Sequence, residues 1–210
     1  MVIPVPSMLP AMQDLRLMEP MQGIRPFIDV DWDFSFSCDG YRMLADFGEG
    51  AGELRSSRGL DVSDWFPEVS STLQAMNVPR MVVDGHICVL DAAGRNDPRR
   101  LHARALRPGL EPGQPNAVFC VQDVLVFAGD DVRQLAWWRR RELLARLPMD
   151  REGTPFRLWR TLHTEGKWLA CQALALGYDG VLAYRRGSSY RAGPSADWLT
   201  IRCPQRPVPA

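Results

Sequence analysis

Lysine is almost absent from this chain. Of the 25 Lys and Arg residues, Lys167 is the single lysine and the other 24 are arginines. A mechanism that needs several lysines is therefore excluded. Acidic and basic residues balance to a formal net charge of zero at pH 7. Bulk charge thus gives no reason to expect nucleic-acid binding, although a local basic patch is compatible with this composition.

Cysteine patterns typical of disulfide frameworks and zinc ribbons are also missing. The chain has 5 cysteines, an odd number, and they are widely spaced with no C-x-x-C pair. His86 and Cys88 would share one face of a strand and could ligate a metal. A partly buried histidine beside a small apolar cysteine is the favoured interpretation. We therefore predict no metal site.

Long apolar runs and a basic leader are lacking as well. No apolar stretch reaches the length needed to span a membrane. The apolar N-terminus has no basic region and carries Pro4 and Pro6, which is unlike a signal peptide. Cytoplasmic localisation without membrane contact is the expectation. The 46% apolar content predicts a folded chain with a real core.

Strand patterns recur along the whole chain. An apolar run over residues 117–127 predicts a buried strand. Turns are expected at Asp39-Gly40 and Asp84-Gly85, with further tight turns allowed by Gly180. The remaining predicted strands flank these turns or lie near the C-terminus, at residues 31–38, 41–47, 81–83, 86–90, 181–184 and 198–201.

Helical patterns are fewer and separate these strands. Apolar residues recur at helical spacing after Ser63, the expected N-cap, and after Thr164, with Gly177 as the stop signal. Residues 130–147 predict another helix, and residues 91–116 predict mostly loop. This irregular alternation favours an α+β fold. We expect an irregular N-terminal arm over residues 1–30, one domain over residues 31–203 and a frayed tail over residues 204–210.

Short motifs in a fixed order carry a family resemblance. Their sequences are S-F-S-C-D-G-Y-R at 35–42, S-R-G at 57–59, F-P at 66–67, D-G-H at 84–86, F-C-V-Q-D-V-L at 119–125, D-G-V-L-A-Y at 179–184 and W-L-T-I-R at 198–202. Their order and spacing resemble the adenylation domain of ATP-dependent DNA ligases, particularly the bacterial end-joining type. The resemblance implies a nucleotidyltransferase (ATP-grasp-like) fold, with two antiparallel sheets, flanking helices and a central cleft.

The residues that carry the family's chemistry are replaced. The resemblance implies a lysine nucleophile where this chain has Ser37, and a serine needs an adjacent base to attack ATP. Phosphate-binding lysines are replaced by Tyr184 and Thr200, which supply no cation. A metal-binding carboxylate is replaced by His86, a poor ligand for Mg²⁺, and a further glutamate by Ser35.

Other cleft positions keep a related residue. Asp179 replaces Glu, Arg202 replaces Lys, and Phe119 falls where the family stacks an aromatic ring on adenine, with an ordinary core position as the open alternative. Arg42 and Arg58 match positions that face phosphates, and structural ion pairs are the alternative for both. The predicted cleft residues are Ser35, Ser37, Asp39, Gly40, Arg42, Asp84, His86, Phe119, Asp179, Tyr184, Thr200 and Arg202. Asp39 and Asp84 are expected to bind loop amides.

An aromatic and basic cluster, W-W-R-R-R, occupies residues 137–141. It could contact nucleic acid, but arginines on a solvated helix face with the indoles turned inward are the favoured interpretation. Arg58, Arg139 and Arg140 are the candidate DNA contacts.

We therefore expect a catalytically inactive ligase-like domain that acts by binding a repair protein, a DNA end or a nucleotide. No cofactor is expected; ATP and Mg²⁺ would bind only if the family's activity persists. No OB-fold domain is expected after the last motif. One alternative is an active nucleotidyltransferase that uses Lys167, and another is new chemistry at Cys38, His86 or Asp179. An open cleft that holds a ligand would favour a binding or enzymatic role, whereas a cleft filled by Tyr184, His86 and the N-terminal arm would favour a scaffold.

Overall fold

Ten strands and four α-helices make up the computed structural model, which describes residues 10–147 and 153–203. The strands are β1 (Met18–Gln22), β2 (Trp32–Phe36), β3 (Tyr41–Gly48), β4 (Ala51–Ser56), β5 (Met81–Cys88), β6 (Val118–Phe127), β7 (Asp130–Asp131), β8 (Phe156–Leu158), β9 (Gly180–Arg185) and β10 (Gly193–Arg202). The helices are α1 (Pro67–Gln74), α2 (Pro98–Ala105), α3 (Trp137–Leu144) and α4 (Gly166–Leu176), with 3₁₀ turns at Met12–Asp14 and Ser63–Trp65. None of these helices has the length and apolar character to cross a membrane.

The strands form two separate sheets. The first sheet has the order β1-β10-β9-β2, and the second has the order β4-β3-β5-β6-β7 with β8 added beside β6. Neighbouring strands are antiparallel except for the pairs β1–β10 and β6–β8, which are parallel. The prediction of an α+β fold with two mainly antiparallel sheets is therefore confirmed.

Three hydrophobic clusters define the layers. On the outer face of the first sheet, α4 packs through Leu169 and Ala173 onto Phe34 and Val181. On one face of the second sheet, α1 and α2 pack onto the alternate residues of β3, β5 and β6. The third cluster, here called the inter-sheet cluster, joins the two sheets and includes Leu44, Leu125, Tyr184 and Trp198. The space between the sheets is therefore mainly packed with side chains.

The N-terminal segment is more ordered than predicted. Instead of an irregular arm, residues 18–22 form β1, which pairs in parallel with β10. Met12, Leu15 and Leu17 are buried in the inter-sheet cluster. Local periodicity could not indicate this strand because its partner lies about 175 residues further along the chain. The predicted tail at residues 204–210 lies outside the described residues.

Several helix boundaries differ from the predictions. Ser63 lies in a 3₁₀ turn, and α1 begins only at Pro67, whose missing N–H is harmless in a first turn. Glu165, rather than Thr164, precedes α4, which ends as predicted at Gly177 with φ 78°. Residues 91–116 contain α2, capped by the Asp97 carboxylate. The helix predicted over residues 130–147 is limited to α3.

Two glycines predicted to allow tight turns serve close backbone contacts instead. Gly85 lies inside β5, and a Cβ atom there would be 2.4 Å from the Cys120 carbonyl oxygen. Gly180 begins β9, and its Cβ would be 2.3 Å from the Ile201 oxygen. A methyl group cannot fit at either distance, so both positions require glycine for strand-to-strand approach.

Candidate nucleotide cleft

The loop between β2 and β3 carries the chain from the first sheet to the second. The Ser37 backbone N–H donates to the Gly180 carbonyl at 2.9 Å, which holds the loop against β9. Gly40 lies so close to β5 that a Cβ there would be 2.4 Å from the Ile87 oxygen. Ser37 and Asp39 are therefore fixed at the point where the two sheets meet.

A small cavity of about 110 Å³ remains between the sheets beside this loop. Pockets for drug-sized ligands are typically about 300–1,000 Å³, so this space is small for a nucleotide. Five residues predicted for the cleft line it, together with five others. The full lining is Pro20, Ser37, Cys38, Asp39, Arg42, His86, Gln122, Leu182, Trp198 and Thr200.

Aromatic packing fills the adjoining space. The Tyr184 ring stacks on Trp137 with centroids 4.8 Å apart and planes 7° apart, and the edge of Trp198 meets it at 5.1 Å. The Tyr184 hydroxyl lies 3.3 Å from the Ser35 hydroxyl, and both side chains are buried. Burial raises the pKa of Tyr184 above its usual range. Tyr184 is therefore a neutral packing residue.

Arg42 faces a carboxylate within the protein. Its guanidinium makes two hydrogen bonds to Asp84, of 3.1 and 2.7 Å, and lies 5.3 Å from the Trp198 ring centroid. The Tyr190 hydroxyl donates to the same Asp84 carboxylate at 2.8 Å and accepts from the Met18 N–H at 3.0 Å. Burial acts to lower the pKa of Arg42, but attraction to Asp84 raises it overall. The expectation that Asp84 binds loop amides is wrong, because its partners are side chains.

Three polar atoms around the cavity lack a partner among the described residues. They are Ser37 Oγ, His86 Nδ1 and Gln122 Nε2, all shielded from solvent. Burial lowers the pKa of His86, which favours the neutral imidazole. A neutral imidazole and an unpaired hydroxyl cannot replace a hard-metal carboxylate or a lysine. Among the described residues, Ser37 Oγ has no hydrogen-bond partner.

A family model described as "ATP dependent DNA ligase domain" matches residues 20–202. The chain belongs to this family. The "Multifunctional non-homologous end joining protein LigD" of Pseudomonas aeruginosa is 31% identical over 177 residues, which are 84% of this chain but 20% of that protein. A "Probable DNA ligase" of Streptomyces coelicolor is 30% identical over 178 residues, 78% of this chain and 33% of that protein. The chain thus spans about a fifth to a third of these relatives.

Solved structures of DNA ligases have the same fold as this chain. A "mycobacterial DNA ligase D complexed with ATP and MES" is 26% identical, with a TM-score of 0.79 over 91% of this chain and 61% of that chain. The ligase domain of M. tuberculosis LigD is similar, with 25% identity and a TM-score of 0.78. The nucleotidyltransferase fold implied by the motifs is therefore confirmed.

Asp39, Asp179 and Arg202 lie at a second, more open cavity of about 570 Å³. Both aspartates are exposed, and they lie close enough to influence each other. Partial burial and then the neighbouring Asp179 raise the pKa of Asp39 to about 6. The Asp39 side chain therefore has another carboxyl group, that of Asp179, as its neighbour. The backbone oxygen of Asp39 accepts a hydrogen bond from Asn96 Nδ2 at 2.9 Å. Asp39 therefore borders both cavities, whereas Asp179 and Arg202 line only the larger one.

Phe119 does not line the cavity, contrary to the prediction. It is wholly buried in the core of the second sheet, where its ring meets Phe156 edge-on at 6.5 Å. Gln122, three residues along β6, faces the cavity instead. Residues three apart on a strand point to opposite faces, so this spacing was a signal available in the sequence.

The predicted DNA contacts fall into two environments. Arg58 and Arg139 are exposed, and Arg139 lies 4.0 Å from the Trp138 ring centroid. Arg140 is wholly buried and paired with Asp123, so the prediction that it is a DNA contact is wrong. The interpretation of residues 139–141 as one solvated arginine face is wrong for the same reason. A buried carboxylate partner on another strand cannot be inferred from helix periodicity.

Proposed function

We propose that this chain is a ligase-like domain that does not adenylate and acts by binding a DNA end or a DNA-repair protein. One observation carries the proposal: the position of the family's phosphate-binding lysine holds Tyr184, which stacks on Trp137 and packs nearly perpendicular to Trp198. A nucleotide phosphate there would meet aromatic rings, and the guanidinium of Arg42 beside Trp198 is already paired with Asp84. The remaining cavity of about 110 Å³ is far below the usual size of a ligand pocket.

The electrostatics of the cavity support the same conclusion. Arg42 lines the cavity, and its charge is already balanced by Asp84 at 2.7 Å. Phosphoryl transfer depends on charges positioned for the transition state, and removing one such donor typically costs about 10²–10³ in rate. Ser37, Tyr184 and Thr200 together lack the charge that the family's reaction needs.

The alternative nucleophile Lys167 is poorly placed. It is exposed on α4, which packs against the residues of β9 that face away from the cleft, Val181 and Ala183. Leu182 and Tyr184, on the other face of β9, belong to the inter-sheet cluster. A sheet therefore separates Lys167 from Ser37.

The alternative of new thiol chemistry is also disfavoured. Cys38 is buried beside the cavity, and its hydrogen bond with Cys120, together with burial, raises its pKa to about 12. The thiolate is the reactive form of cysteine, so Cys38 is an inert thiol at neutral pH.

A binding role needs an accessible surface, and exposed arginines supply one. Arg58 lies in a turn, Arg139 projects from α3, and Arg99 and Arg100 are exposed at the start of α2. Guanidinium groups bind phosphates in pairs of hydrogen bonds. The Pseudomonas aeruginosa relative is named a non-homologous end joining protein, which makes DNA ends and their protein partners the natural ligands to test.

The test is incubation of the purified chain with α-labelled ATP and Mg²⁺ or Mn²⁺, followed by denaturing electrophoresis and intact mass measurement. An active ligase adenylation domain serves as the positive control. We expect no labelled band and no mass gain equal to AMP. Label on this chain would contradict the proposal, and label mapped to Lys167 would favour the relocated nucleophile.

A further inference from the structure

Three buried cysteine thiols lie close together beside the small cavity. The sulfur atoms of Cys38, Cys88 and Cys120 all lie within 4.8 Å of one another, and the Cys38 and Cys88 sulfurs are 3.3 Å apart. None of the three is joined in a disulfide to another described residue. Their exposed fractions are 7%, 0% and 0%, so solvent scarcely reaches them.

The fold brings these thiols together from three distant segments. Cys38 lies in the loop that crosses from the first sheet to the second, Cys88 ends β5, and Cys120 lies on β6. In the ladder between β5 and β6, Cys120 is directly opposite His86, and His86 is two residues before Cys88. Directly opposed residues and residues two apart share a face. His86 therefore lies on the same face as two of the thiols, Cys88 and Cys120.

The geometry is close to that of a thiolate metal site. Zn–S bonds of about 2.3 Å in a tetrahedral centre place sulfur atoms about 3.8 Å apart. The thiols here lie near that separation, so shifts of less than about 1 Å would give the coordinated arrangement. Sulfur ligands select soft or borderline ions such as Zn²⁺ over Mg²⁺. A fourth ligand is needed. The nitrogens of His86 are not among the atoms within 4.8 Å of one another, but its Nδ1 is buried and unpaired among the described residues, so a side-chain shift toward the thiols would supply it.

We propose that Cys38, Cys88 and Cys120, completed by His86, bind one Zn²⁺ ion in a structural site. Binding converts three thiols to thiolates and releases three protons, and the neutral imidazole adds a nitrogen ligand. The centre then carries a net charge of −1. Arg42 lies directly opposite His86 in the β3–β5 ladder, and its ion pair with Asp84 would border this charged centre. Coordination would tie the Ser37–Gly40 loop to the central strands of the second sheet.

The proposed zinc site shares Cys38 and His86 with the lining of the small cavity, but its role would be structural. Cys38 neighbours the nucleophile position and His86 replaces the metal-binding carboxylate, so the proposed ligands occupy positions where the family's own motif residues are absent. The competing explanation is that the thiols pack as small apolar groups beside Leu90, Val118 and Trp159. Apolar packing predicts no metal uptake, which separates the two explanations.

The experiment starts from protein purified under reducing conditions, stripped with a chelator and titrated with Zn²⁺ or Co²⁺. We expect one equivalent of zinc by native mass spectrometry, with a mass gain reduced by the displaced protons. We expect Co²⁺ to give a thiolate-to-metal charge-transfer absorption and the visible bands of a tetrahedral centre. A full chain that takes up no metal, or that binds Co²⁺ without the thiolate absorption, would overturn the proposal.

Serine variants identify the ligands. Cys38→Ser, Cys88→Ser and Cys120→Ser should each weaken Zn²⁺ affinity by more than the ~10–100-fold that outer-shell changes cause. Cys203→Ser is the matched control. Cys203 is also buried, but it lies outside the group of three thiols and donates a hydrogen bond to the Ala170 carbonyl. Equal loss in Cys203→Ser would contradict the assignment. His86→Gln should weaken binding and change the cobalt spectrum, and unchanged values would remove His86 from the ligand set.

Protection of thiols gives a readout that does not depend on variants folding. In the wild-type protein, Zn²⁺ should slow alkylation of Cys38, Cys88 and Cys120 in mild denaturant, while exposed Cys171 continues to react at its original rate. Peptide mapping by mass spectrometry measures each site separately. Uniform alkylation rates with and without Zn²⁺ would count against the site.

Discussion

Arg140 and Asp123 form a wholly buried ion pair between α3 and β6. Their two hydrogen bonds measure 2.9 and 2.7 Å, and neither side chain is exposed to solvent. Arg140 also donates to the Ser188 carbonyl at 3.0 Å. This one guanidinium therefore ties α3 to the second sheet and to the loop that leads into β10.

Removing the arginine alone should be severe. In Arg140→Met the Asp123 carboxylate would remain buried without a cation, which typically costs about 3–5 kcal/mol. We expect the free energy of unfolding, measured by urea denaturation, to fall by that amount. Arg139→Met is the matched control on the exposed neighbour and should change stability by no more than about 0.5 kcal/mol.

Replacing both partners distinguishes the ion pair from simple packing. The double variant Arg140→Met with Asp123→Leu leaves no uncompensated charge, so it should recover part of the stability lost in Arg140→Met. A double variant that is as unstable as the sum of the single variants would show that the pair's charges do not interact as described.

Gly85→Ala tests the close approach of β5 and β6. Its Cβ would lie 2.4 Å from the Cys120 carbonyl oxygen, and this backbone cannot move without breaking the ladder. We expect a loss of about 1–3 kcal/mol, typical of overpacking, visible as a lower urea midpoint. Gly187→Ala, where a Cβ would meet nothing within 4 Å, is the control and should be nearly neutral. Equal loss at both positions would contradict the steric argument.

The parts of the fold predicted from sequence were those with strong local signals. The apolar run at residues 118–127 and the Gly177 stop of α4 depend only on nearby residues. The helix α2 was missed because its apolar face is narrow, with Leu101 and Ala105 among arginines. The pair Asp97-Pro98 was nevertheless a readable start signal, since Asp favours the N-cap and Pro the first turn.

The order of the motifs correctly predicts that some candidate residues lie together, but it predicts the wrong location for others. Ser37 and Thr200 do line one cavity, as the motif order implies. Phe119 was misplaced because a motif match gives the position along a strand, whereas the cavity is lined by the opposite face of β6. The clustering of Cys38, Cys88 and Cys120 was not predicted because it depends on the meeting of three distant segments.

The Asp39 carboxyl should make stability depend on pH. Its pKa is raised from 3.8 to about 6, through burial and then Asp179, so the folded protein binds this proton more tightly than the unfolded chain. This contribution to stability is present below about pH 4 and is lost as pH rises through about 6. Asp39→Asn should therefore be stabilised relative to wild type at pH 7.5 by less than about 1 kcal/mol, given solvent screening.

Thermal unfolding at pH 4.5 and 7.5 measures this effect. The difference in melting temperature between Asp39→Asn and wild type should be larger at the higher pH. Asp179→Asn removes the partner carboxyl and should produce a change of the same sign. A larger Asp39→Asn gain at pH 4.5 would mean that the carboxyl pair does not act as proposed.

DNA binding, where it occurs, should be weak and only shallowly dependent on salt. The net charge is zero, and Arg140 is occupied by Asp123. Arg58→Ala and Arg139→Ala should each weaken duplex binding and reduce the slope of log K against log salt by about 1. Fluorescence anisotropy with Lys167→Ala as the control checks this. Nanomolar binding that persists at high salt would contradict it.

Restoring the nucleophile alone should not restore adenylation. Ser37→Lys supplies the amine, and loss of a nucleophile by itself can cost about 10⁶ in rate. Tyr184 and Thr200 would still provide no cation for the α-phosphate, and His86 would still be a poor Mg²⁺ ligand. The new ammonium would also enter a cavity whose neighbours are Arg42 and Trp198, so we expect lower stability. The combined variant Ser37→Lys, His86→Glu, Tyr184→Lys and Thr200→Lys restores the charge at these four positions, but Trp137 and Trp198 still close the pocket. We expect no AMP transfer from either variant in the labelling assay, provided that circular dichroism shows a folded chain. Labelling of folded Ser37→Lys would mean that the nucleotide reaches the cleft despite the aromatic packing.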